Sequence, residues 1–323
     1  MRFARTDAKA YARAKLKGIW AAALTPFRPD GALDEEGFRR NLRHWVDELG
    51  IDGVFVSGKQ GEFFSMSLAE RKRTFDIAVE EIGGARTILS CSDQSLDTVI
   101  ELARYAQAIG SDYIVVHAPV LHFLTKQDET LLAYYHTVSE AVGIGIALWS
   151  HPDSGYLMSP ELCARVAELP NIVAIKYSVP REMYARLTRL AGDKLIVSTA
   201  SEEEWLDNIV ELGWQLYLCS SPPYLYQTPA DRRMRDYTDL ALNGEHARAK
   251  AVRDSLDPVR QAFKRSRPAE KFHAHSKFWQ ELLGQTGGAV RRPMLPLSDA
   301  EKEATRRAFE TCGLKLAGAR SAA

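Results

Sequence analysis

Lys176 lies in the stretch Asn171-Ile-Val-Ala-Ile-Lys-Tyr-Ser178, which is short, apolar and rich in β-branched residues, with Pro170 before it and Pro180 after it. Such a run reads as a strand buried on both faces. In a strand Ile172, Ala174 and Lys176 share one side and Val173, Ile175 and Tyr177 the other, so the small Ala174 leaves room beside the amine. A lysine in an apolar pocket loses charge solvation, its pKa falls, and the neutral amine becomes a nucleophile toward carbonyls. The other reading is a lysine near a strand end that carries its ammonium out to water.

A second chemical candidate is the loop Ser57–Glu62, in which Gly58 and Gly61 flank Lys59 and Gln60. Backbone amides there can receive a carboxylate in an anion-binding nest, and a plain tight turn fits the same residues. Trp149, His151, Tyr156 and Tyr177 offer proton donors or stacking surfaces, and equally plain packing. Ser220 closes the last apolar run and is read as substrate-binding with Gly58, Lys59, Gln60, Gly61 and Trp149. A catalytic metal is not expected. His117, His122 and His151 fall near strand ends, but the His-Ala-His at His273 to His275 falls in the C-terminal helical stretch.

These residues need a frame, and the chain supplies one by alternation. Short apolar runs near residues 19–24, 53–57, 86–91, 113–117, 144–149, 172–177, 194–198 and 216–220 are each followed by a helical pattern. Asp34 and Ser67 read as N-caps, and Gly50, Gly110 and Gly213 as helix stops. The spacing is too long for hairpins and suits right-handed βα crossovers. Eight such units predict an α/β fold, a (β/α)₈ TIM barrel with additional C-terminal helices. The open doubly wound sheet is disfavoured because Thr25-Pro26-Phe27 stands where a glycine-rich phosphate loop would follow the first strand. The expected division is a polar helical lead-in over 1–17, the barrel over 18–244 and a helical extension over 245–323. In a barrel the reactive groups sit at the carboxyl ends of the strands, and Lys176 is at one.

Composition narrows the partners. Lys+Arg and Asp+Glu are both 42, so the formal net charge is zero and no excess points to nucleic acid or a membrane surface. Aromatic and basic residues do not interleave on one segment. No apolar run reaches the ~18 residues of a membrane span. Cys91, Cys163, Cys219 and Cys312 lack C-x-x-C spacing and read as reduced thiols of a cytoplasmic protein.

Taken together, Ala23-Leu-Thr-Pro-Phe27, Gly-x-x-Gly-Glu at Gly58–Glu62, Ser67-Leu-Ala-Glu-Arg71, Pro170-Asn-Ile-Val-Ala-Ile-Lys176 and Arg292-Pro-Met-Leu-Pro-Leu297 resemble the dihydrodipicolinate synthase/N-acetylneuraminate lyase family of Schiff-base class I aldolases. The resemblance runs from about Gly18 to Phe309. It implies that Lys176 forms an imine with pyruvate or another 2-oxo acid, that the Gly58–Glu62 loop holds its carboxylate, and that the protein is a homo-oligomer, dimer or tetramer. It implies small-molecule 2-oxo acid and aldehyde substrates and no cofactor. Where the family has two threonines this chain has Lys59 and Gln60. Where the family has its relay tyrosine it has Trp149, whose indole N–H does not titrate usefully. The family synthase's arginine for a second carboxylate falls at Ser154 or nearby, and the tyrosine lent by a neighbouring subunit falls at Leu121.

The expected activity is therefore a 2-oxo acid lyase or aldolase of hydratase-aldolase type, with Lys176, Tyr177 and His151 catalytic. The alternatives are 4-hydroxy-tetrahydrodipicolinate synthase and a barrel that binds a 2-oxo or sugar acid without turnover. Lys59 is expected close to Lys176, where two ammonium groups disfavour each other, or else in solvent or paired with Glu62.

Overall fold

Each apolar run forms a parallel strand, and each amphipathic run after it a helix that covers the strand's outer face. The computed structural model describes residues 2–121, 127–152, 156–219 and 223–316. The strands are β1 (Gly18–Ala22), β2 (Gly53–Val56), β3 (Thr87–Ser90), β4 (Tyr113–His117), β5 (Gly145–Ser150), β6 (Ile172–Tyr177), β7 (Ile196–Ser198) and β8 (Leu216–Leu218). They pair in parallel in the order β7-β6-β5-β4-β3-β2-β1-β8, which curls the sheet into a nearly closed (β/α)₈ barrel. At the β7/β8 seam a side chain takes up the ladder's role, since Ser198 Oγ accepts the Leu218 N–H at 2.8 Å.

The helices begin where the caps predict. Asp34 accepts from Gly37 N at the start of α2 (Glu35–Arg43), and Ser67 and Glu70 form a capping box on α3 (Leu68–Ile82). Helices α4 (Leu96–Ala108), α5 (Asp128–Ala141), α6 (Pro160–Val166), α7 (Arg181–Ala191), α8 (Trp205–Leu212) and α9 (Arg233–Leu242) complete the outer ring. Gly213 ends α8 in the left-handed region, φ 65°, which a side chain would resist.

The lead-in does more than its polarity predicts. Its helix, preceding the barrel at Ala8–Lys15 (α1), buries Ala8 and Ala12, with Leu16 just beyond, in the same apolar cluster as Trp20, Tyr113 and Leu216 of the barrel interior. The two alanines let α1 fit close, Tyr11 packs beside them toward Tyr113, and the helix plugs the barrel's amino-terminal end.

Strand β6 departs from simple alternation. Ile146 pairs with Ile172 but Ala147 pairs with Ala174, so Val173 is an extra residue opposite no partner. The bulge turns Val173 inward beside Ala174, while Ile172, Ile175 and Tyr177 pack against the helices. The expected common side for Ile172, Ala174 and Lys176 is therefore corrected at Ile172, and the pairing of Ala174 with Lys176 on the inner face holds.

After α9 the chain continues through α10 (His246–Asp254), α11 (Asp257–Ser266), α12 (Phe272–Leu282) and α13 (Asp299–Glu310). This segment returns to the loops at the carboxyl ends of the strands. Its clasp is an ion pair: Lys277 Nζ lies 2.5 Å from Glu62 Oε1, with both side chains almost fully buried. Glu62 Oε2 also accepts from Arg291 N at 3.0 Å, and Lys277 donates to Ala289 O at 2.7 Å. Among the described residues no helix is long and apolar enough to cross a membrane.

Candidate active site

Lys176 is the last inward-facing residue of β6, and its register fixes its neighbours. Across the ladders it is the partner of Trp149 on β5 and Ser198 on β7, and Trp149 is in turn the partner of His117 on β4. Aligned partners in a parallel sheet project to the same side, so His117, Trp149, Lys176 and Ser198 form one layer at the top of the barrel. Lys176 is only 2% exposed. Its Nζ donates to Cys219 O at 2.6 Å and lies 5.4 Å from the centre of the Phe55 ring.

Burial pulls the Lys176 amine down to about 8. A charge on Cys219 would oppose that, but burial pushes this thiol up to about 12, so it is neutral near pH 7. The positive charge of Lys59 adds to the lowering. Lys59 and Lys176 line the same cavity, and Glu62 pairs with Lys277.

A cavity of ≈ 390 Å³ opens over the amine, lined by Lys59, Gln60, Trp149, His151, Lys176 and Ser178 from the barrel and by Ala200, Arg267, Phe272 and His273. Two of the lining residues, Trp149 and His273, each carry a buried ring nitrogen, the Trp149 indole N–H and His273 Nδ1, without a hydrogen-bond partner among the described residues. His273 Nε2 lies 2.9 Å from Lys59 O, and a carbonyl only accepts, so Nε2 carries the proton and Nδ1 is an acceptor. Burial lowers the pKa of His273 and favours this neutral form. His117 packs edge-on against Trp149 at 5.4 Å, gives its Nδ1 proton to Ala118 O at 2.8 Å and is likewise lowered by burial.

The loop after β2 is held rigidly. Ser57 and Glu62, which bracket it, both have positive φ, 53° and 58°. A side chain at Gly58 would come within 2.7 Å of the Phe55 ring, and one at Gly61 within 3.1 Å of Thr25 Oγ1. The two glycines are therefore the framework of the loop, and Lys59 and Gln60 are what it presents to the cavity.

Of the residues singled out in the sequence, Lys176, Lys59, Gln60, Trp149 and His151 come together at one cavity. Tyr177 does not, and its expected catalytic role is corrected: it faces outward, its hydroxyl donates to Met158 O at 2.6 Å, and burial pushes its pKa well up. Adjacent strand residues point to opposite faces, so Lys176 and Tyr177 cannot share a pocket. Ser220 and Ser154 lie outside the described residues. Sequence reasoning missed Arg267, Phe272 and His273, because nothing in a helical pattern says which way a helix beyond the last strand will fold. His275, which the sequence sets with His273 in the C-terminal helical stretch away from the strand ends, meets Ser266 Oγ at 2.9 Å, and among the described residues no group of His, Cys, Asp or Glu could hold a metal.

Comparison with known proteins agrees with this geometry. The model of the dihydrodipicolinate synthetase family matches residues 15–311. A 4-hydroxy-tetrahydrodipicolinate synthase of Methanothrix thermoacetophila is 29% identical over 291 residues, 89% of this chain and 94% of that protein. A probable 5-dehydro-4-deoxyglucarate dehydratase of Saccharopolyspora erythraea is 30% identical over 290 residues, 88% of this chain and 90% of that one. In fold the chain is similar to YagE, a prophage protein of E. coli K12 solved in complex with pyruvate, with a TM-score of 0.80 at 21% identity over 92% of this chain and 98% of that one.

Proposed function

Since the chain belongs to the dihydrodipicolinate synthetase family, we infer that it is a lyase whose Lys176 Nζ attacks the ketone of a 2-oxo acid such as pyruvate. The attack gives a carbinolamine, and loss of water gives the protonated imine at C2. In a 4-hydroxy-2-oxo acid the C4 hydroxyl then loses its proton as the C3–C4 bond breaks, releasing an aldehyde and leaving the electron pair as an enamine that is protonated at C3 and hydrolysed to free the amine. In the reverse direction the imine, after losing a proton from C3, adds to an aldehyde. The observation that carries this reading is the amine itself: it is buried, pulled down to about 8, and open to a cavity of substrate size.

The surroundings suit each step. Gln60 and the Lys59 ammonium face the cavity and are suited to hold the 2-oxo acid's carboxylate, with Gly58 and Gly61 shaping the backbone beneath. Trp149 offers a fixed N–H to an oxygen of the substrate. His151, His273 Nδ1 or a water is left to move protons, since Trp149 cannot and Tyr177 points elsewhere. Trp149 in the place of a titratable tyrosine also favours a second reading, a barrel that binds the 2-oxo acid without turnover. As part of the main reading the protein is a cytoplasmic homo-oligomer.

Borohydride reduction in the presence of pyruvate tests the imine. The expected result is one reduced adduct on Lys176, located by peptide mass and missing from Lys176→Ala. Adducts scattered over surface lysines, or none, would refute the imine. Adduct formation with no turnover of any 2-oxo acid would select the binding reading.

The charge on Lys59 gives a prediction with a defined sign. Imine formation needs the neutral amine, so its rate at low pyruvate should rise with pH and level off above about 8. Lys59→Gln removes a charge that lowers the amine, so the midpoint should move up, toward the ordinary lysine range. Pyruvate binding should weaken in the same variant, because a cation facing the carboxylate is gone. A pH profile and an affinity that both stay put would make Lys59 a bystander.

A further inference from the structure

The cavity over Lys176 has a cationic group on the segment after the barrel as well as those on the barrel itself. Lys59, Lys176 and Arg267 line it, and among the described residues no Asp or Glu does. The neighbouring cavity, which shares Ser178 and Ala200, differs: it holds Glu202, Glu203, Arg260 and Lys264, and these charges pair with one another. Arg267 is exposed and has no carboxylate partner among the described residues, and its backbone direction is set by its neighbour. Pro268 follows it and forbids helical backbone, so α11 ends and Arg267 turns extended at φ −83°, ψ 115°. Its guanidinium then lies 5.4 Å from the centre of the Phe272 ring, at the start of α12. His273, next in sequence, lines the same cavity.

We propose that Arg267, stacked on Phe272 at the cavity mouth, is a second anion subsite that receives a distal carboxylate, so that the preferred substrates are 2-oxo acids with a carboxylate at each end. This rests on the imine reading above, with Lys176 fixing the keto end. A guanidinium presents paired N–H donors in a plane, which matches a carboxylate, and stacking on an aromatic ring leaves that edge free. Because the site stands on the segment after the barrel, a serine at the position of the family synthase's arginine does not leave the substrate's far end without a counter-charge.

The test compares acids of matched length, 2-oxoglutarate with 2-oxopentanoate and 2-oxoadipate with 2-oxohexanoate, by the concentration that half-saturates borohydride trapping at Lys176. In at least one pair the dicarboxylate should trap at about tenfold lower concentration, the effect of one charge-assisted contact. Arg267→Gln should bring that ratio to about one, and Phe272→Leu, which removes the stack, should reduce it. Equal concentrations within both pairs, or a ratio that survives Arg267→Gln, would overturn the subsite. If pyruvate and all four acids fail to trap, the imine reading falls instead. The subsite is then judged by calorimetric titration of the same acids, where equal affinities within each pair overturn it and a dicarboxylate preference lost in Arg267→Gln supports it.

Discussion

A Lys176→Met variant should lose turnover of its 2-oxo acid by about 10⁴-fold or more and form no trapped adduct, while melting at the same or a higher temperature. The two halves of this expectation have one cause. The amine is 2% exposed and meets one carbonyl, from Cys219, and one ring face, from Phe55, and among the described residues no carboxylate lies against it. Holding an ammonium there costs desolvation energy that the fold does not recover from an ion pair. Methionine keeps the volume and the unbranched shape and removes the charge, at the expense of one hydrogen bond to Cys219 O. A residue retained against its own desolvation is one retained for its chemistry. The measurement is a turnover assay beside a thermal melt. A variant that keeps more than about one hundredth of the activity, or that unfolds with its activity, would show that Lys176 holds the barrel together and does not form the intermediate.

The second large effect belongs to Glu62 and Lys277. Glu62→Gln should destabilise the protein by about 3–5 kcal/mol, because it leaves the Lys277 ammonium buried with only Ala289 O and the face of Phe27 around it. Burial already pulls the Lys277 pKa down, and Glu62 acts against that pull. Lys277→Met should cost a similar amount by stranding the carboxylate, whose other contact is the Arg291 N–H. The double variant should lie closer to the parent than either single one, since the isolated charges are what destabilise. Denaturant midpoints for the four proteins check this. Additive losses would mean that the two side chains act separately and that the clasp is not an ion pair.

How much of this was legible in the sequence depends on distance along the chain. The strand of Lys176, its place at a strand end, and the Lys59–Gln60 loop could be read because each is a local pattern within a few residues. The barrel could be read because its crossover rhythm repeats. The bulge at Val173 could not, since an extra residue in a run of uniformly apolar side chains leaves no break in the pattern. Tyr177 was misjudged by proximity in sequence, where the period of two in a strand separates neighbours. His273 carried a visible signal, a buried-looking imidazole beside Lys277 and Phe278, but its partner Lys59 is 214 residues away. Glu62 was read as the end of a loop motif, and only the folded chain shows that it anchors the whole C-terminal segment.

The division of labour between strand β6 and the Arg267–His273 corner bears on how such a protein can change. The Lys176 amine stands on a strand of the barrel, tied on both sides by backbone ladders and set above a packed interior. The groups at the mouth stand on a turn between two later helices, outside the sheet's hydrogen bonding. Drift, duplication or deliberate grafting can therefore rewrite residues 267–273 without disturbing the nucleophile. Selection for a new far end of the substrate and selection for an intact reaction centre act on separate stretches of the gene, so the one can wander while the other stays fixed.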